Sequence, residues 1–271
     1  MRLLFKAPSQ SLAEFVERFW YSSEAPEHQK VRVVPSGTME LVFNLGEDEL
    51  GFSDTEQPEN CKTFSGAVFS GTFAQPLVVH TRKHVMGVHF KPGGAFRFLG
   101  VPASEFANSH VDVEVLWKRS TQDLREQLYE AANAATRFRV LERALVARLR
   151  NSSEEHRAVR AALDIFGRDA CEATTRDLAK HLGLSQRHFI NVFSKQVGIT
   201  PKQFARVQRF QRAADLTRSS LTPNWADIAA ACGYFDQSHL IHDFKILSGF
   251  SPTKFVRQRS ERLLTNAPIT E

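Results

Sequence analysis

Ser185-Gln-Arg-His-Phe-Ile-Asn-Val-Phe-Ser-Lys-Gln-Val-Gly-Ile-Thr-Pro-Lys-Gln-Phe204 is echoed 51 residues later by Asp236-Gln-Ser-His-Leu-Ile-His-Asp-Phe-Lys-Ile-Leu-Ser-Gly-Phe-Ser-Pro-Thr-Lys-Phe255, without a gap. Seven of the twenty positions are identical. Upstream, Leu178-Ala-Lys-His-Leu-Gly183 matches Ile228-Ala-Ala-Ala-Cys-Gly233 at an offset of 50. Self-similarity of this length marks a duplicated structural unit. Each copy reads helix, glycine turn, helix, which is the helix-turn-helix pattern.

The local chemistry supports that reading. Thr174 or Thr175 can cap a helix over 176–182, because a threonine oxygen accepts from the free amides of a first turn. Gly183 ends it, since glycine tolerates a positive φ. Ser185 caps the next helix, to about Val197, with Phe189, Val192 or Phe193, and Val197 turned inward. That leaves Gln186, Arg187, Asn191, Ser194 and Lys195 on outer surfaces. In the second copy 226–232 is the first helix and Asp236 caps the helix to about Leu247. Leu240 and Phe244 pack inward, and Gln237, Ser238, His242 and Lys245 remain outside. These residue types hydrogen-bond base edges and phosphates in a major groove. Taken one at a time, each is equally well a solvated helix face.

Between the copies, Pro201–Thr217 reads as one helix, with proline in its first turn. Phe204, Val207, Phe210 (or Gln211) and Leu216 form its apolar side. About 16 residues at ~1.5 Å each span roughly 24 Å. With the width of the flanking helices, two recognition helices fall about one DNA turn apart, ~34 Å. Arg206, Arg209, Arg212 and Arg218 are either phosphate contacts or surface arginines.

Charge follows the same division. The net +5 of the 271 residues is uneven: residues 155–265 hold 17 Lys/Arg against 10 Asp/Glu, and residues 1–154 hold 18 against 19. A basic excess confined to one region fits a nucleic-acid partner, or a basic solvated surface. No apolar run approaches the ~18 residues of a membrane span, so no membrane partner is expected. Cys61, Cys171 and Cys232 are too scattered for a metal knuckle or disulfide frame, which fits a reducing cytoplasm.

Outside the repeat the pattern changes. Residues 11–19 have helical spacing, while Phe15–Tyr21 is equally a strand; a short helical turn leading into a strand accommodates both. From 31 to 91 the period is two. Met39-Glu-Leu-Val-Phe-Asn-Leu45 puts positions 39, 41, 43 and 45 on one face, and 64–69, 77–81 and 85–90 are further strands between turn clusters. Residues 53–60 read as a hairpin loop. Short strands at this spacing suggest a small barrel or sandwich. Residues 95–100 form about one helical turn, and 115–130 reads as one helix. A helix over 137–149 carries Phe138, Leu141, Leu145 and Leu149 in a stripe, which either packs on the barrel or forms a homodimer seam. The barrel itself is the other candidate dimer surface. Residues 151–155 are a polar linker.

With these residues in view, 174–259 resembles the C-terminal domain of AraC/XylS-type transcription regulators. The resemblance rests on Ser185, Phe189, Phe193, Gly198 and Pro201 in the first copy. In the second it rests on Ile228-Ala, Gly233-Tyr-Phe, Gln237-Ser-His-Leu, Phe244-Lys, Gly249-Phe-Ser-Pro252 and Phe255. It implies about seven helices with two helix-turn-helix motifs. This chain departs at Asn191 and Ser194, where many members carry basic residues. More weakly, 35–46 and 87–94 resemble the cupin-like sensor halves of such regulators, which implies a barrel able to hold a small effector.

The expected architecture is therefore two domains. Residues 1–150 are an α+β cupin-like β-barrel with trailing helices, 151–155 a linker, 156–265 the all-α double helix-turn-helix domain, and 266–271 a tail. The expected partners are double-stranded DNA and a small-molecule effector. Base contacts fall to Gln186, Arg187, Asn191, Ser194, Gln237, Ser238, His242 and Lys245, and phosphate contacts to Lys195, Arg206, Arg209 and Arg212. The alternative is a metal- or small-molecule-dependent barrel enzyme carrying a DNA-binding domain. His80, His84 and His89 are close in sequence but lack the H-x-H pair and following Glu of metal-binding cupins, so no metal or cofactor is expected. No phosphate-binding glycine loop or G-x-S-x-G elbow is present, and no catalytic residue is assigned.

Overall fold

Strand β4 (Glu40–Asn44) shows how the N-terminal half is layered. Alternate residues of a strand face opposite sides. Met39, Leu41, Phe43 and Leu45 enter one apolar cluster, while Val42 enters another. Both faces of β4 are therefore covered. In the computed structural model, residues 3–23, 29–47, 49–55, 57, 59–149, 155–168, 174–219 and 222–260 are described.

The strands around it are β1 (Leu3–Lys6), β2 (Val16–Ser22), β3 (Lys30–Val33), β5 (Leu50–Asp54), β6 (Lys62–Phe64), β7 (Ala67–Ser70), β8 (Leu77–His80), β9 (Val85–Phe90) and β10 (His110–Asp112). They form two antiparallel sheets, ordered β1-β2-β9-β4-β7-β10 and β3-β8-β5-β6. The expected cupin-like barrel does not close: the sheets are open and face each other, which is the sandwich alternative. Between them lie Val42, Val68 and Val85 from the larger sheet and Leu50, Phe52 and Leu77 from the smaller.

Four helices cover the outer face of the larger sheet: α1 (Phe96–Leu99), α2 (Val113–Trp117), α3 (Ser120–Glu130) and α4 (Ala134–Leu149). The single helix expected over 115–130 is broken, because Lys118 takes a positive φ of 51°. The stripe on α4 is used within the chain. Phe138, Leu141 and Leu145 are buried in the cluster that contains Leu41, Phe43 and Phe69, with Leu149 packed at its edge. That stripe is therefore not available as a dimer seam.

The C-terminal half comprises α5 (Arg157–Arg168), α6 (Thr175–His181), α7 (Gln186–Val197), α8 (Pro201–Leu216), α9 (Trp225–Ala231), α10 (Gln237–Ser248) and α11 (Pro252–Ser260). Seven helices among the described residues match the expected number. Residues 151–154 of the linker and the 266–271 tail lie outside the described residues. Among those described, no helix is long and apolar enough to cross a membrane.

Among the described residues the two halves meet at several seats, including an Arg160–Glu14 ion pair at 2.6 Å, and three of them engage backbone carbonyls. Buried Thr72 donates through Oγ1 to the Val197 carbonyl at 2.6 Å. Arg32 donates to the Ser248 carbonyl at 3.4 Å and lies 4.6 Å from the Phe250 ring centroid. Between them, α8 donates from Gln208 to the Ser36 carbonyl (3.2 Å) and from Gln211 to the Pro35 carbonyl (2.6 Å).

One half-buried titratable group, His110, makes the sandwich pH-sensitive. His110 stacks on Phe52 with ring centroids 3.7 Å apart and also meets Phe64 and Phe73. Burial, with Lys62 nearby, lowers its pKa to about 3, so the folded chain keeps it neutral. The unfolded chain takes up that proton below pH ~6.5. The stabilisation is thus complete above pH ~6.5 and is lost as pH falls toward 3. Thermal unfolding at pH 7 and pH 5 should show a loss of about 2 kcal/mol from this group, and His110→Phe should remove that share.

Candidate nucleic-acid interface

The first helix-turn-helix is assembled by its caps. Thr174, rather than Thr175, caps α6, its side chain accepting from the Asp177 amide at 3.2 Å. Gly183 turns the chain at φ +69°. Ser185 caps α7 by accepting from the His188 amide at 3.2 Å. Gly198 ends α7 in the left-handed region, and Thr200 with Gln203 forms a capping box at the start of α8. Such a box satisfies two first-turn amides reciprocally.

The second unit repeats these devices. Asn224 caps α9 by accepting from the Ala226 amide at 3.1 Å, Gly233 turns at φ +70°, and Asp236 caps α10 by accepting from the His239 amide at 2.7 Å. The cores repeat as well. Phe193 and Phe204 meet edge-on with centroids 5.6 Å apart, and their counterparts Phe244 and Phe255 do so at 5.4 Å. Edge-to-face pairs add direction to apolar burial, so they hold each recognition helix at a fixed angle.

What remains outside is a matched pair of strips. Arg187, Asn191 and Ser194 follow i, i+4, i+7 along α7; Ser238, His242 and Lys245 occupy the same steps along α10. Positions at this spacing share a helix face. Arg187, Asn191, Ser238, His242 and Lys245 are exposed in the whole chain, as are Gln186 and Gln237 in the two first turns. The N-terminal half therefore covers neither strip. Ser194 is half-buried, and its Oγ has no hydrogen-bond partner among the described residues.

Three of these residues, Arg187, Asn191 and Ser194, share a shallow concavity with His188 and Ile190. His188 was not foreseen, although it is one of the seven identities of the repeat. Phe235, which the sequence places in the Gly233-Tyr-Phe turn, is 92% exposed before α10.

The phosphate candidates divide. Lys195 and Arg212 are exposed. Arg206, expected at a phosphate, is instead tied to buried Asp243 of α10, Nε to Oδ1 at 2.8 Å. Arg209 is half-buried with its guanidinium 5.5 Å from the Tyr234 ring centroid. Burial raises the Tyr234 phenol, and Asp243 beside it adds to the effect. Arg206 and Arg209 thus lie over the core of the second unit and help fix α10 against α8. Leu216, expected inward, is 45% exposed.

The histidines considered for metal have separate partners. His80 meets Ser53 Oγ at 2.8 Å, His84 meets Tyr21 Oη at 2.9 Å, and His89 meets Glu40 Oε1 at 2.8 Å. Among the described residues, no group of three His, Cys, Asp or Glu side chains is placed to hold a metal ion.

Comparisons with known proteins agree with the division into halves. Residues 178–258 match a family described as a helix-turn-helix domain. Residues 5–112 match a domain of unknown function (DUF6597). The chain is 35% identical over 72 residues to the probable transcriptional regulator LumQ of Photobacterium leiognathi, covering 27% of this chain and 29% of that one. It is 36% identical over 67 residues to the uncharacterized HTH-type transcriptional regulator YbfI of Bacillus subtilis, covering 25% and 24%. The match thus spans under a third of either curated relative. The C-terminal domain of AraT from Geobacillus stearothermophilus, a response regulator, aligns with 44% of this chain and 95% of its own at 25% identity and a TM-score of 0.37. Residues 178–258 are a helix-turn-helix domain, in keeping with the resemblance to AraC/XylS-type regulators.

Breaking the Arg206–Asp243 pair should unsettle the second unit. Losing one partner of a buried pair costs roughly 3–5 kcal/mol. With Arg206 a third exposed, a loss of about 2 kcal/mol is expected for Arg206→Ala after solvent screening. Chemical denaturation of the full chain measures it, and Arg212→Ala should change stability by less than about 0.5 kcal/mol.

Proposed function

We propose that the chain is a sequence-specific DNA-binding regulator of transcription, acting in the cytoplasm. Residues 156–265 read DNA, and residues 1–150 hold a small-molecule effector in the sandwich. The observation that carries the reading is the pair of matched, uncovered strips on α7 and α10, each supported by the same caps and the same aromatic pair. The naming of LumQ and YbfI as transcriptional regulators supports it.

In this reading Gln186, Arg187 and Asn191, with Ser194 at the base of the strip, face one major-groove segment. Gln237, Ser238, His242 and Lys245 face the next. Arg187 suits guanine O6 and N7, and Asn191 suits adenine N6 and N7. Lys195 and Arg212 meet phosphates. The basic excess of residues 155–265 provides the long-range attraction that precedes docking. The two matched reading heads give the regulator reading a use for more of the chain than the barrel-enzyme alternative has.

Gel shifts on the DNA upstream of the chain's own gene test the proposal. Specific binding should weaken steeply as salt rises. Arg187→Ala and His242→Ala should each lose about 1–3 kcal/mol, relaxing sequence preference, whereas Lys195→Ala should weaken all sequences alike and reduce the salt slope by about 1. Absence of specific binding at moderate salt, with both alanine variants indistinguishable from the parent, would sink the idea.

A further inference from the structure

The inner face of the larger sheet is built in rungs. β7, β4 and β9 align Ser70, Glu40 and His89, and the next rung aligns Val68, Val42, Gly87 and, from β2, Trp20. The first rung is polar and the second apolar. A cavity of about 130 Å³ lies against both, its far wall including Phe52 and Val79 of the smaller sheet. An apolar cavity of roughly 150 Å³ accepts benzene, so this space suits a compact molecule with a ring-sized body.

The polar end is defined by Glu40. His89 Nδ1 lies 2.8 Å from Glu40 Oε1, and His89 Nε2 lies 3.4 Å from Thr38 Oγ1. His89 is buried, while the Glu40 side chain retains 29% exposure. A carboxylate accepts on both oxygens. One is oriented by His89, and the group keeps capacity for a donor from the cavity side. Among the described residues no lysine or arginine lines the cavity, and His80, which does, is held by Ser53 Oγ at 2.8 Å, so a ligand carboxylate would meet Glu40 without a lysine or arginine to offset it.

We propose that this cavity binds a compact, mainly apolar amine or alcohol, its donor on Glu40 and its body against Trp20, Val42, Phe52 and Val79. This rests on the effector reading above and assigns the effector's chemistry.

The same wall carries the seats of the helical half. Pro35 and Ser36 line the cavity and present their carbonyls to Gln211 and Gln208 of α8. Arg32 precedes lining residues Val33 and Val34, and Thr72 lies between lining residues Gly71 and Phe73. Thr72 and Arg32 hold the carbonyls of Val197 and Ser248, which are equivalent positions of the repeat, one residue before each C-capping glycine. The cavity wall therefore grips both reading helices at the same point. An occupant that favours one arrangement of this wall biases the relation of the two heads, and DNA and ligand then alter each other's affinity reciprocally.

Calorimetric titration of the full chain with benzylamine, benzyl alcohol and benzoate tests the assignment. Benzylamine and benzyl alcohol should bind, with benzoate at least tenfold weaker. Glu40→Gln should weaken benzylamine at least tenfold, and Val79→Phe, which fills the cavity, should weaken all three. Benzoate binding as tightly as benzylamine, or no binding of the amine and alcohol, overturns the assignment. In parallel, saturating benzylamine should move the half-point of the DNA gel shift at least threefold. The double variant Gln208→Ala, Gln211→Ala should abolish that move and keep the calorimetric affinity. Amine binding that leaves the half-point unchanged overturns the coupling. The ligand selectivity without any DNA binding keeps the ligand assignment and sinks the regulator reading instead.

Discussion

Helix α8 has to satisfy three surfaces at once, and the rest of the molecule follows from how it does so. Phe204 belongs to the core of the first unit, with Phe166 and Phe193. Val207, Phe210, Ala213 and Ala214 belong to the core of the second. Gln208 and Gln211 reach the sheet half. Close packing tolerates little displacement without loss of contact, so a shift of α8 is felt in both units and at the seam. Gly37 marks how tight the seam is: at φ +77° it leaves no room for a β-carbon, which would fall 2.9 Å from the Phe204 ring. A helix shared in this way turns two small motifs, each with a modest core, into one body with a fixed spacing between heads.

The two heads are alike in support and unlike in chemistry. Caps, glycine turns and phenylalanine pairs repeat at matched positions, so the backbone geometry of reading is duplicated. Along the strips, Arg187 stands opposite Ser238, Asn191 opposite His242 and Ser194 opposite Lys245. Under the proposed function, one chain would present two different donor and acceptor patterns to adjacent stretches of a duplex, and that proposal implies an asymmetric target without a second subunit. The Arg206–Asp243 pair and the Tyr234–Arg209 stack add polar fixings found at the second head. Their cost in desolvation is consistent with a role in setting the angle of α10 rather than in raising stability.

Legibility followed the range of the interactions concerned. Caps and turns act within four residues, so Ser185, Asp236, Gly183 and Gly233 disclosed their roles directly. Strands β4, β8 and β9 were readable from alternation or from apolar runs. β5 was missed because Leu50–Ser53 is buried on both sides and includes a glycine, and β10 because three residues carry no period. Closure of a barrel depends on pairing between distant strands, which no local pattern specifies; strand spacing left barrel and sandwich open, and the pairing decides for the open sandwich. The same holds for Arg206, whose partner lies 37 residues away. Glu40 looked like an ordinary polar alternate in a strand until register placed it beside His89 and Ser70, facing the second sheet.

The central claim is that α7 and α10 read adjacent major-groove segments from one rigid frame. Hydroxyl-radical footprinting of the full chain on its own bound DNA tests it most directly. Two protected patches on one face of the duplex, with centres about one helical turn apart (~34 Å), are predicted. A single patch, or two separated by a distance that α8 cannot span, would contradict it.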